Sequence, residues 1–172
     1  MTWTHPIRLA DLARGPVRLK LEADEATRKT LAKSLDLVSL KSFQCDMTIR
    51  PWLDGAEIDG RLLAVVEQTC GVTLDDFDQT IDTRFDLRVV PAGSPNAPAE
   101  SEGGEIELDP EAPDPPDVLE GDVIDAAAYA LEHLALNLDP FPRKPGATFD
   151  YTPETREESP FAALLKLKGG EG

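Results

Sequence analysis

The chain of 172 residues has only two cysteines and two histidines. Cys45 and Cys70 stand 25 positions apart with no Cys-x-x-Cys between them, and His5 and His133 lie far from both. Neighbouring ligands for a Cys/His zinc site are therefore lacking, and no metal is expected. Both cysteines are expected as ordinary buried or half-buried thiols. No apolar run approaches the roughly 18 residues of a membrane span, so no membrane contact is expected. The opening MTWTHPIRLADLARG lacks a charged-then-apolar leader pattern, and a cytoplasmic protein is expected. There is no paired His, Cys-His or Ser-Lys arrangement, no Gly-rich phosphate loop and no HExxH spacing. The expectation is a protein without catalytic residues, cofactor or small-molecule substrate.

Positive charge is also scarce. Seventeen Lys and Arg face 33 Asp and Glu, for a net charge of −16. The deficit is uneven. Residues 1–95 hold 12 basic and 15 acidic residues, and residues 96–172 hold 5 and 18. Counterion release at phosphate needs Lys and Arg, so such a chain is a poor autonomous nucleic-acid binder. It suits a basic partner better.

What is present is an apolar fraction of 41%, enough for one core, and a clear strand pattern. Val17, Leu19 and Leu21 alternate with polar residues, as do Phe43, Cys45, Met47 and Ile49, and then Ile81, Thr83, Phe85, Leu87 and Val89. Asp24 offers an N-cap to a short helix over 25–34. Asp54-Gly55 and Asp59-Gly60 both read as hairpin turns, and Leu62, Ala64 and Val66 open a further strand towards Cys70. Strands with one wet and one apolar face imply an antiparallel sheet covered on one side. The expected fold is α+β: a curved antiparallel sheet or partial barrel covered by segregated helices, with a long acidic disordered insertion.

A single domain is expected over residues 1–150. Its insertion, 91–117, is punctuated by prolines, and from Glu100 to Asp125 there are eleven acids and no Lys or Arg. Such a stretch buries too little apolar area to offset its ordering entropy. Most of residues 91–121 are expected to be disordered, apart from a short edge strand over Glu105–Leu108. A second helix follows, with Asp122 and Asp125 as candidate N-caps and Ile124, Ala128, Leu131, Ala135 and Leu138 as its apolar stripe. Pro140 and Pro142 stop it. Residues 151–172 form a tail with a short amphipathic helix, in which Ser159 is the cap, Pro160 the first position, and Phe161, Leu164 and Leu165 the apolar face.

In this order and spacing the pieces GRLLAVVEQTCGVTL (60–74), TIDTRFDLRVVP (80–91), LEGDVID (119–125), LDPFPRKPGA (138–147) and SPFAALLKLK (159–168) resemble the YceD family of large ribosomal RNA subunit accumulation proteins. The resemblance implies a role in synthesis, processing or stability of 23S large-subunit ribosomal RNA. It also implies, as partners, that RNA or a precursor particle. The family's gene commonly lies beside that of a small basic ribosomal protein, a second implied partner. Many members carry a Cys-x-x-Cys-like pair where this chain has Gln68, Thr69 and Cys70, and more cysteines after the proline motif. Only Cys70 stands here, so a metal site of that kind is not expected.

The residues themselves leave alternatives. Glu120, Asp122 and Asp125, with Gly121 among them, are a binding or general-base cluster, or simply caps at a helix N-terminus; no nucleophile is near, which favours caps. Arg143 and Lys144 contact phosphate or complement the helix C-terminus. Phe141, between Pro140 and Pro142, stacks a base or packs on the sheet, and packing is favoured. Arg28, Lys29 and Lys33, with Arg14, Arg18 and Lys20 upstream, are the best RNA or partner footprint, or a solvated helix face. His133 reads as a surface or boundary residue. Two functions follow: a non-enzymatic ribosome biogenesis factor, or an acidic escort for a small basic ribosomal protein of the large subunit.

Overall fold

The computed structural model describes residues 3–98 and 114–149. Strand β1 (Pro6–Arg8) leads into a 3-10 helix (Leu9–Arg14), then β2 (Val17–Glu22), α1 (Glu25–Ser34), β3 (Ser39–Trp52), β4 (Gly55–Thr69) and β5 (Asp76–Pro91). Further along come β6 (Asp117–Leu119), β7 (Val123–Asp125) and α2 (Ala126–Leu136). Five strands form one open sheet in the order β2-β3-β4-β5-β6, and β1 and β7 form a second pair. All pairings are antiparallel except β5 with β6. The fold is α+β, and the sheet does not close into a barrel.

The alternation read in the sequence sets the two faces. Phe43, Cys45, Met47 and Ile49 of β3 and Ala56, Ile58, Leu62, Ala64 and Val66 of β4 are buried on one side. On the other side charges pair across strands: Arg61 holds Asp82 through two contacts of 3.0 and 2.8 Å, and Arg50 pairs with Glu57 and Asp59. Both helices cover the apolar face, with Leu31 and Ala32 of α1 and Leu134 of α2 in the core. Asp24 caps α1, its carboxylate accepting the Thr27 N–H at 2.7 Å.

Only one of the two Asp-Gly pairs turns the chain. The β3–β4 hairpin reverses at Leu53-Asp54, with Leu53 at φ +52. A Cβ at Gly55 would meet the Val89 carbonyl, so glycine is needed there for close approach. Asp59-Gly60 lies inside β4 instead. Gly60 is opposite Phe85, whose ring occupies the space a Cβ would take. The glycine thus makes room for an aromatic ring on the next strand and does not form a turn. His133 stacks on the same ring, with centroids 3.9 Å apart and planes at 12°.

The expected stripe of α2 is rotated. Its buried residues are Ala126, Ala127, Ala130 and Leu134, while Ala128 and Ala135 are exposed and Ile124 belongs to β7. The segment AAAYALEHLAL is apolar over most of its circumference, so periodicity does not select a face. Contact with β4 and β1 does. Asp122 is not a cap; its carbonyl accepts the Leu9 N–H at 2.8 Å. Residues 117–119, expected within an unstructured insertion, form β6 beside Val89–Pro91. The edge strand expected over Glu105–Leu108 and the helix expected after Ser159 lie outside the described residues.

Candidate functional site: a two-loop junction at the end of the sheet

Beyond β4 the chain turns sharply through residues 70–75, and beyond α2 it runs through the proline loop 138–147. The structure brings the two together. Gly71 N–H donates to the Pro142 carbonyl at 2.9 Å, the Gln68 side chain donates to the Asp139 carbonyl at 3.3 Å, and Lys144 pairs with Asp75 at 3.3 Å. At the centre is Cys70. Its Sγ accepts the N–H groups of Val72 and Thr73, each at 3.4 Å, and that of Lys144 at 3.3 Å. The turn itself is closed by Cys70 N–H to Asp75 and Leu74 N–H to Cys70, and Leu74 takes a positive φ of +61.

Cys70 is fully covered, yet it stands apart from the apolar core cluster. Its lid is polar backbone. Hydrogen bonding from Thr73, and then from the Lys144 N–H, pulls its thiol down to about 6 against the opposing effect of burial. These donors favour the charged form. The N–H groups thus favour the thiolate form of Cys70 under the cover of the two loops. The sequence placed the thiol facing inward but gave no sign of the N–H donors, one of which lies 74 positions away.

The remaining expected residues divide. Thr69 is tied to Asp76 at 2.7 Å. Arg143 and Lys144 do not complement the helix terminus, because α2 stops at Leu136 and the chain turns before it reaches them. Lys144 is committed to Asp75, whereas Arg143 is exposed and has no ion-pair partner among the described residues. Phe141, expected to pack, is 79% exposed. Its flanking prolines and the Phe141 N–H to Asp139 carboxylate bond of 2.8 Å hold it away from the sheet. A groove of about 610 Å³ runs beside it, lined by Gln68, Thr69, Leu138, Asp139, Pro140 and Pro142.

Asp125 resolves as a structural hub. Its Oδ1 accepts the N–H groups of Ala127 at 3.1 Å and Ala128 at 3.3 Å, and that of His5 at 2.8 Å. It therefore caps α2 and pins β1 to it. Glu120, Gly121 and Asp122 lie exposed on the turn before β7. Glu120 borders an acidic wall formed with Asp117 and Glu132 beside Tyr129, and an adjoining cavity of about 510 Å³ adds Asp86, Arg88, Asp114 and His133. Burial and the Asp117 carboxylate push the Tyr129 hydroxyl up, and burial pushes His133 down.

The basic footprint is split by the sheet. Arg18 and Lys20 alternate with inward Leu19 and Leu21 and so lie on the wet face, while Arg28, Lys29 and Lys33 lie on α1 over the other. Two of the three helix cations already have partners. Arg28 donates to the Ala23 carbonyl at 2.7 Å, and Lys29 pairs with Glu25 at 2.7 Å. Among the described residues Lys33 has no ion-pair partner, no group of three or more His, Cys, Asp or Glu could hold a metal ion, and no helix is long and apolar enough to cross a membrane.

Comparison with known proteins gives one family. Neither a curated protein nor a solved structure matches the chain. The family model described as large ribosomal RNA subunit accumulation protein YceD matches residues 58–168, which takes in β4 from Ile58 onward, β5, α2 and both loops of the junction. With that match over well more than half its length, the chain belongs to the YceD family.

Proposed function

We propose that this protein is a non-enzymatic ribosome biogenesis factor supporting synthesis, processing or stability of 23S large-subunit ribosomal RNA, and that the proline loop is its RNA-facing element. The observation that carries the loop assignment is Phe141, 79% exposed between two prolines, with Arg143 beside it, which has no ion-pair partner among the described residues. An exposed aromatic ring and a guanidinium on a stiff loop suit an unpaired base and its phosphate. The charge of −16 restricts such contact to a small area, and suits a factor that binds RNA already held in a particle. The test is recovery of large-subunit precursor RNA with tagged protein from cells whose own copy is replaced. The double variant Phe141→Ala, Arg143→Glu loses most of that RNA and keeps the wild-type Tm. Undiminished recovery contradicts the assignment.

A second reading is favoured by the acidic wall of Asp86, Asp114, Asp117, Glu120 and Glu132: an escort for a small basic ribosomal protein. Recovery of such a protein without RNA, and its loss as salt rises, supports the escort.

A further inference from the structure

We propose that the outer edge of β5 over residues 77–85 binds a second copy of this chain, the two strands pairing antiparallel about a two-fold axis at Ile81 so that the two sheets run on as one. β5 pairs with β4 along its length, but β6 covers its other side only at Val89–Pro91. The approach to β6 takes up the lane a little further, since Asp114, Pro115 and Asp117 line the cavity beside Asp86, Leu87 and Arg88. At the other end Asp76 is tied to Thr69, and Asp75 to Lys144. Between these limits, among the described residues, β4 alone bonds to the backbone of residues 77–85. Such an edge presents a row of unpaired N–H and C=O groups, a template for another strand.

The side chains say which strand. Asp78, Thr80, Asp82 and Arg84 alternate along the wet face, all exposed. Arg84 has no ion-pair partner among the described residues and stands opposite Arg61, which holds Asp82. Asp78 stands opposite Glu67, and these two carboxylates share the one ammonium of Lys41. One position therefore lacks an anion and the other a second cation. Setting Ile81 opposite the Ile81 of a second copy brings Arg84 opposite the partner's Asp78, and Thr80 opposite the partner's Asp82, at both ends of the interface. On the apolar face Phe77 then meets the partner's Phe85, and Gln79 the partner's Thr83. Shifting the partner by two residues sets Asp78 opposite Asp82 in one direction, and Asp82 opposite itself in the other. A one-residue slip turns one copy's wet row towards the other's apolar row. The complementary register is also the one that fills the free lane from Phe77 to Phe85.

A wholly basic strand would leave Arg84 without an anion, and an acidic strand or a phosphate backbone would meet Asp78 and Asp82. The chain's other open edge, β2, carries Arg18 and Lys20 on its wet face. Pairing β5 with that edge would join copies head to tail into an open chain, whereas the two-fold pairing closes. The negative charge of each copy is screened over a Debye length of about 8 Å at physiological salt, so the local row governs the contact. Strand pairing over so short a stretch lies at the small end of specific interfaces, and the dimer is expected to depend on concentration.

The test is sedimentation velocity of the full chain at about 0.15 M salt. Protein concentration runs from about 1 μM to about 1 mM, the range of weak association. The wild type is expected to pass from monomer to dimer and no further. Arg84→Glu and Asp78→Arg each set like charges opposite one another twice. Each alone is expected to weaken the dimer about tenfold, with the wild-type Tm kept because both sites are exposed. An equimolar mixture of the two variants is expected to dimerise as the wild type does, since the mixed pair sets opposite charges together at both ends. A monomer at every concentration would overturn the proposal, as would a dimer indifferent to both variants. A mixture no tighter than either variant alone would overturn it too. So would growth past the dimer, which would mark pairing of β5 with the β2 edge instead.

Discussion

Cys45 and Cys70 are both closed to solvent, yet their thiols move in opposite directions. Burial in the sheet core pushes Cys45 up to about 12, whereas Cys70 is drawn down to about 6. The difference lies in what does the burying. Side chains of β2, β3 and β4 surround Cys45 and offer its sulfur only a distant carbonyl at 4.0 Å. Backbone N–H groups of two loops surround Cys70. One region is held by excluded water, the other by converging donors, and the two should fail under different perturbations.

The largest effect is expected in the core. Leu134→Ala removes a fully buried side chain where α2 meets the sheet and should cost about 2–5 kcal/mol in urea unfolding. Gly60→Val forces the Phe85 ring out of its site and off His133. It should cost about 1–3 kcal/mol by overpacking.

The junction should answer to pH instead. A thiol at 9.0 when unfolded and about 6 when folded adds stability that is fully present above pH 9 and is lost as pH falls towards 6. Urea midpoints of the wild type should therefore rise between those limits relative to Cys70→Ala, and the gap between the two should stop changing below about pH 6. Parallel curves would mean that Cys70 is not an anion in the fold. The smallest effect belongs to Lys144→Ala. Its bridge to Asp75 is about half exposed at both ends and should contribute no more than about 1 kcal/mol, although exchange of the Gly71 amide should quicken.

The same contrast explains how much was legible in the sequence. The long strands were readable because burial of Phe43, Cys45, Met47 and Ile49 on one face writes a period of two into the chain. The Asp24 cap and the span of α1 were readable because capping is local. The face of α2 was not, because alanine and leucine on nearly every side erase the 3.6 period. Gly60 was misread because a glycine that makes room for a ring looks like one that makes a turn. The three-residue strands β1, β6 and β7 left no pattern long enough to detect. At the site, the family motifs marked Gln68, Thr69, Cys70, Pro140 and Pro142 but not that the two loops touch. Bonds between positions some 70 apart leave no local trace. Phe141 was misjudged because an aromatic residue is usually buried, and only the direction of the proline loop shows that this one is not.

The central claim is that the proline loop presents Phe141 and Arg143 to large-subunit ribosomal RNA. Ultraviolet crosslinking in cells, with the crosslinked peptide and RNA both identified, tests it most directly. The account predicts a crosslink on residues 139–147, carried by Phe141, to large-subunit RNA. Crosslinks to that RNA confined to other segments, or none at all from a protein that still sediments with the precursor particle, would contradict it.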